Sequence, residues 1–144
     1  MRSAVLCLVN QRRGSRGLSL LHESARLDTS AQNWTNVMVA TGNFTHGSNF
    51  AGRFAAVGYY WQYAGENIAT GYRTPRDVVS AWMASTGHCE NILDPHYRDI
   101  GIGENPRPVG SFATHAASWT QDFGLLMSQS PPSGNTGPMN GCPY

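Results

Sequence analysis

Lysine is absent from the 144 residues, and the ten basic side chains are arginines scattered along the chain. With nine acidic residues the formal net charge is +1. No basic block forms, so the sequence carries no electrostatic footprint for nucleic acid. No apolar run reaches the roughly 18 residues that suggest a membrane-spanning helix. The opening segment, Met1 to Asn10, has too short an apolar run for a signal peptide and lacks a small-residue cleavage site. It runs on into a helical pattern and is expected to be the first helix, so any export leader would lie outside this chain. Cysteine is scarce. Cys7, Cys89 and Cys142 have none of the C-x-x-C spacing of zinc sites, and their odd number allows three thiols or one pair with one left over. There is also no Gly-x-Ser-x-Gly elbow, no His-Glu-x-x-His pair and no internal repeat.

What is present reads as one globular domain of interleaved helices and strands. Val5, Leu8 and Val9 recur at helical spacing from Ala4 to Arg13, with Arg12 and Arg13 in the last turn, where they suit the helix dipole. Leu27, Ala31, Trp34 and Met38 place one apolar face on a helix from Ser24 to Ala40. A turn-rich loop from Gly42 to Ser48 carries His46. A short helix follows around Asn49 to Val57, then an aromatic strand from Tyr59 to Ala69 that breaks at Gly71. Thr74-Pro75-Arg76-Asp77 is a strong helix start, with threonine as N-cap and proline at the first position. Gly87 interrupts, and a helical turn at Asn91–Asp94 stops at Pro95. Ile100-Gly101-Ile102-Gly103 reads as a central strand whose glycines allow close backbone approach. Ser111 to Phe123 is the last strand, and residues 126–144 read as a flexible low-complexity tail. Trp34, Trp82 and Trp119 are expected in the core.

Six segments in order resemble the CAP superfamily of cysteine-rich secretory, antigen 5 and pathogenesis-related class 1 proteins, its bacterial members most closely. They are Leu8-Val9-Asn10-x-x-Arg13, Phe44-Thr45-His46, Gly65-Glu66-Asn67-Ile68-Ala69, Trp82-Met83-x-Ser85-x-Gly87-His88-x-x-Asn91-Ile92-Leu93, Ile100-Gly101-Ile102-Gly103 and Trp119-Thr120-Gln121-x-Phe123-Gly124. The resemblance covers residues 3–125. It implies an α/β fold, a three-layer α-β-α sandwich with a small central antiparallel sheet and a surface cleft. Animal and plant members carry two histidines and two glutamates in that cleft. Here His46 and Glu66 match one of each, while Ser85 and Ser118 fall where the second glutamate and histidine would be. His88 matches a histidine of bacterial relatives. The resemblance also implies a Cys7–Cys89 disulfide, with Cys142 unpaired or intermolecular.

These matches imply a secreted or cell-surface domain, placed outside the cell or in its envelope. Its His46, Glu66 and His88 cleft would bind a small apolar molecule, a polymer segment or cell-envelope component, or a divalent metal. Imidazole and carboxylate suit Zn2+, with three protein ligands leaving a fourth position for water. The alternative is a metal-assisted hydrolase of peptide or cell-wall bonds that uses the same three residues. Against both stands a structural reading, in which Glu66 accepts backbone N–H bonds and His88 caps a turn. Asn67 and Asn91 read as amides that satisfy loop backbone. His22 and His96 read as loop residues. His115 lies an odd number of positions before Ser118, so on a regular strand it faces the other side. Ser85 and Ser118 have no base assignable from spacing.

Overall fold

The computed structural model describes residues 1–111, 116–132 and 135–144. Its strands are β1 (His22–Glu23), β2 (Trp61–Tyr72), β3 (Asp99–Asn105) and β4 (Ala117–Leu126), in the sheet order β1-β3-β4-β2. β4 runs antiparallel to both neighbours, and the two-residue β1 is parallel to β3. On one face lie α2 (Ala25–Thr41) and α3 (Phe50–Ala56); on the other lie α1 (Arg2–Gly14), α4 (Pro75–Met83) and α5 (Thr86–Ile92). This is the three-layer sandwich that the resemblance implies.

The period-two pattern of β3 sorts its residues between the layers. Ile100 and Ile102 point into the larger core with Val5, Val9, Val78, Trp82, Ile92, Trp119 and Phe123. Full burial of each such side chain is worth about 1.5–3 kcal/mol against exposure. Gly101 and Gly103 point the other way, where a Cβ would collide with the backbone of Leu27–Asp28 and of Ala31–Gln32 in α2. The missing side chains let the helix lie directly on the sheet. β1 is too short to cover the edge of β3, and α2 completes it. Asp28 accepts from the Ile102 N–H at 2.8 Å, and Gln32 brackets Glu104 at 2.8 and 3.2 Å. A protected edge does not recruit another strand.

Local signals set most element ends. Ser24, Asn49 and Thr74 each accept a helix N–H as N-caps, and Gly42 closes α2 in the left-handed conformation at φ 70°. Gly71 does not end β2. At φ 92° it makes a bulge, and the strand continues to Tyr72. Gly87 lies inside α5 and does not interrupt it. The final strand is Ala117–Leu126; part of the expected Ser111–Phe123 span lies outside the described residues.

Arg13 is fully buried rather than exposed at the helix end. Its guanidinium donates to the carbonyls of Ser19, Ile92 and Asp94 at 2.8–2.9 Å, joining α1 to the end of α5. Burial lowers its pKa to about 10, against the raising influence of Asp94.

The disulfide joins Cys89 to Cys142, correcting the expected Cys7–Cys89 pairing. Cys7 is a free, exposed thiol. It lies two residues from both Val5 and Val9, which turns it to the outer side of α1, whereas Cys89 is fully buried in the core. The far end of the segment expected as a flexible tail is therefore fastened down. It forms α6 (Gly137–Asn140), its Tyr144 N–H donates to Met83 at 2.9 Å, and Arg16 stacks on the Tyr144 ring at 3.8 Å.

Gly103→Ala is expected to cost at least about 1–3 kcal/mol, because the colliding atoms are helix backbone and cannot rotate away; urea unfolding measures it. Cys142→Ser is expected to lose up to about 4 kcal/mol on loop entropy, whereas Cys7→Ser leaves the unfolding midpoint unchanged.

Candidate functional site

The loop between α2 and α3 brings His46 over the edge strand β2. Trp34, expected in the core, is only half-buried, and Thr35 takes its place against the sheet. Trp34 instead holds this loop through its indole N–H, which donates to the Thr45 carbonyl at 2.9 Å. From α3, Arg53 donates to the His46 carbonyl at 2.8 Å and lies over the Trp34 ring at 4.0 Å. His46 Nδ1 meets Glu66 Oε1 at 2.8 Å, and Arg53 pairs with Glu66 Oε2. The Glu66 side chain has no exposed surface, while that of His46 is 46% exposed. These residues surround a pocket of about 350 Å3 with Phe50, Ala64, Gly65 and Asn91.

Beneath Glu66 sits a residue that sequence reading passed over. Asp122 is its cross-strand partner on β4 and is fully buried. Neither of its oxygens, nor the Ser30 hydroxyl, has a hydrogen-bond partner among the described residues. Its neighbours are the Glu66 carboxyl and the Ser30 hydroxyl. Two carboxylates placed so cannot both ionise. Burial first, and then the charge of Glu66, push the Asp122 carboxyl well above the ordinary aspartate range. Burial also opposes the charge on Glu66, but His46, Asp122 and the pairing to Arg53 win and hold it below its usual range. The site thus sets a buried carboxyl held above its usual range beside a carboxylate held below it, the latter capped by a guanidinium and an imidazole.

Asp122 stands at the unassigned position of Trp119-Thr120-Gln121-x-Phe123-Gly124. Its alternation with Gln121 and Phe123 placed it on the face opposite the large core, which was the available signal. Arg53 had none beyond its helix, because its role depends on the fold of the preceding loop.

His88 does not join this centre. Its Nδ1 meets Ser85 Oγ at 3.0 Å, and burial, followed by the charge of His46, lowers its pKa. Among the described residues, no three His, Cys, Asp or Glu side chains form a metal-binding group. Of the expected His46, Glu66 and His88 set, the structure brings His46 and Glu66 together, with Arg53 on the second Glu66 oxygen, while His88 is bonded to Ser85.

The expected structural amides are in place. Asn67 donates to the His88 carbonyl at 3.1 Å, and Asn91 donates to the Glu66 carbonyl at 3.2 Å and to Asn67 at 2.9 Å. Ser118 is buried, donating to the Arg107 carbonyl at 2.8 Å and meeting Thr70 Oγ1 at 3.0 Å. His22 is exposed at the chain's shortest strand. His96 stacks on Tyr63 at 4.6 Å and pairs with Asp94 at 2.7 Å. His115 lies outside the described residues.

The sequence pattern of the cysteine-rich secretory protein (CAP) family matches residues 6–123. The chain is 36% identical over 123 residues to the uncharacterized protein YkwD of Bacillus subtilis, a match over 83% of this chain and 45% of that relative's length. Its fold is similar to that of an extracellular protein containing a SCP domain from Bacillus anthracis, with TM-score 0.74 and 24% identity over 85% of this chain and 39% of the other. It is also similar to an outer surface protein of Borrelia burgdorferi, with TM-score 0.77 and 18% identity over 86% of this chain and 91% of the other.

The sign of the pH dependence follows from Asp122. A carboxyl whose folded-state pKa lies above its unfolded value near 3.9 favours folding most at low pH. That contribution is lost as pH rises through the folded value. Asp122→Asn keeps a neutral group beside Glu66, so the variant is expected to gain stability over the parent as pH is raised. Urea midpoints from pH 5 to 9 measure the gap, and parallel pH profiles would contradict the upward shift of the Asp122 carboxyl.

Proposed function

The chain belongs to the cysteine-rich secretory protein family, and from that premise we propose an extracellular or cell-envelope domain whose His46–Glu66 pocket binds a ligand without turning it over. The observation that carries this reading is the ion pairing of Glu66. One oxygen meets His46 and the other Arg53, and a carboxylate held below its usual range by such partners is a weak proton acceptor. What the pocket offers is recognition: the half-exposed His46 ring beside the apolar surfaces of Phe50 and Ala64. A small molecule or envelope-polymer segment with an apolar portion and a hydrogen-bonding group suits such a lining.

The extracellular placement is supported by similar proteins described as extracellular or outer surface and by the disulfide, a bond that persists in oxidising surroundings. Among the described residues no helix is long and apolar enough to cross a membrane.

Calorimetric titration with solubilised envelope polymers, lipids and Zn2+ tests the proposal. Saturable binding of a polymer or lipid is expected, weakened about tenfold by His46→Ala through loss of a charge-assisted or polar contact of about 1.4 kcal/mol. Stoichiometric zinc binding abolished by Glu66→Gln, or no saturable binding of any polymer or lipid, would overturn it.

A further inference from the structure

A second cavity, of about 250 Å3, lies farther along β2. Ile68, Ala69, Tyr72, Phe44 and Trp82 give it apolar walls, and Ser85 and His88 stand together at its lining. None of the lining residues is a lysine, arginine, aspartate or glutamate. The cavity therefore suits a neutral ligand.

Ser85 occupies the N-cap position of α5, where a serine hydroxyl ordinarily accepts a helix N–H. Here it accepts none. Its Oγ is turned instead to His88 Nδ1 at 3.0 Å, within the reach required of a base for a nucleophile. The backbone that carries both side chains is held in place. The His88 carbonyl accepts from Asn67 at 3.1 Å, the Cys89 N–H donates to the Ser85 carbonyl at 2.8 Å, and Cys89 is tied to Cys142. Burial and the nearby charge of His46 favour the neutral imidazole that a base must be.

We propose that Ser85 and His88 form a nucleophile–base pair that hydrolyses neutral, short-chain carboxylic esters in this cavity. Ser85 Oγ adds to the ester carbonyl carbon while its proton passes to His88 Nδ1. The carbon–oxygen bond to the alkoxy group breaks, and the departing alcohol takes the proton from His88. Water, deprotonated at the same nitrogen, then adds to the acyl-serine. Carboxylic acid leaves, and the serine is restored. An apolar cavity of about 150 Å3 accommodates benzene, so the larger space here takes an acyl chain of a few carbons. Neither reacting side chain bonds Glu66, so labelling of Ser85 and ligand binding at Glu66 are read out separately.

Labelling of the full chain with a fluorophosphonate ester, read by intact mass and peptide mapping, tests it. One phosphonyl adduct on Ser85 is expected, together with hydrolysis of p-nitrophenyl butyrate. Ser85→Ala should abolish both. His88→Gln should slow both by about 10²-fold or more while leaving the circular dichroism spectrum and melting temperature near those of the parent. No adduct on the parent protein, an adduct elsewhere, or labelling of the His88 variant at the parental rate would overturn the proposal.

Discussion

The distance between α2 and the sheet governs the rest of this molecule. Two glycines on β3 remove the side chains that would hold the helix away, and Asp28 and Gln32 then bond the exposed edge of that strand. At this separation, polar residues of α2 and β4 are pressed together: Thr35 bonds Thr120 at 2.7 Å, and Ser30 lies beside Asp122. A thicker apolar layer would have excluded these groups, and a looser one would have admitted water. Close packing buries Asp122 fully with a carboxylate as its neighbour. Burial there pushes the Asp122 carboxyl up, while the partners of Glu66 hold its carboxyl down. Backbone geometry in one layer thus bears on the ionisation of a group facing the cleft.

The same constraint explains the arrangement of charge around Glu66. A buried carboxylate is costly unless it is paired and hydrogen-bonded. Glu66 meets that requirement with an imidazole, a guanidinium and a neutral acid, supplied by a loop, a short helix and a neighbouring strand. Each partner is positioned by something else: Arg53 by the Trp34 ring, and His46 by the carbonyl bond to Arg53. Replacing any of them perturbs more than one contact. Effects at this site should therefore be non-additive.

Much of the fold was legible in sequence because it rests on local chemistry. The Thr74 cap, the helix starts at Ser24 and Asn49, the turn-rich loop from Gly42 and the Ile-Gly-Ile-Gly alternation each announce their structure within a few residues. Gly71 was misread as a break because a glycine that ends a strand and one that bulges it look alike without the partner strand. Trp34 and Thr35 are adjacent on one helix, and only the packing of α2 decides which of them faces the sheet. The disulfide was misassigned for a similar reason: pairing depends on which side of α1 Cys7 occupies and where the chain's last residues lie. At the site, His46 and Glu66 were recognised as partners from their motifs. Arg53 and Asp122, which decide what that pair can do, carry no motif and become visible only across strands and layers.

The two walls of the cleft differ in how they are built. On one side α5 is joined to β2 through Asn67 and Asn91, to α1 through Arg13 and to the end of the chain through Cys89. On the other side, the exposed loop carrying His46 is held by the Trp34 bond to Thr45 and by the Arg53 bond to His46, with the ionic contact to Glu66 below. Mechanically the cleft resembles a vice with unequal jaws: the wall that bears Ser85 and His88 is braced covalently from the chain's far end, and the histidine-bearing loop is braced only by hydrogen bonds and one ionic contact.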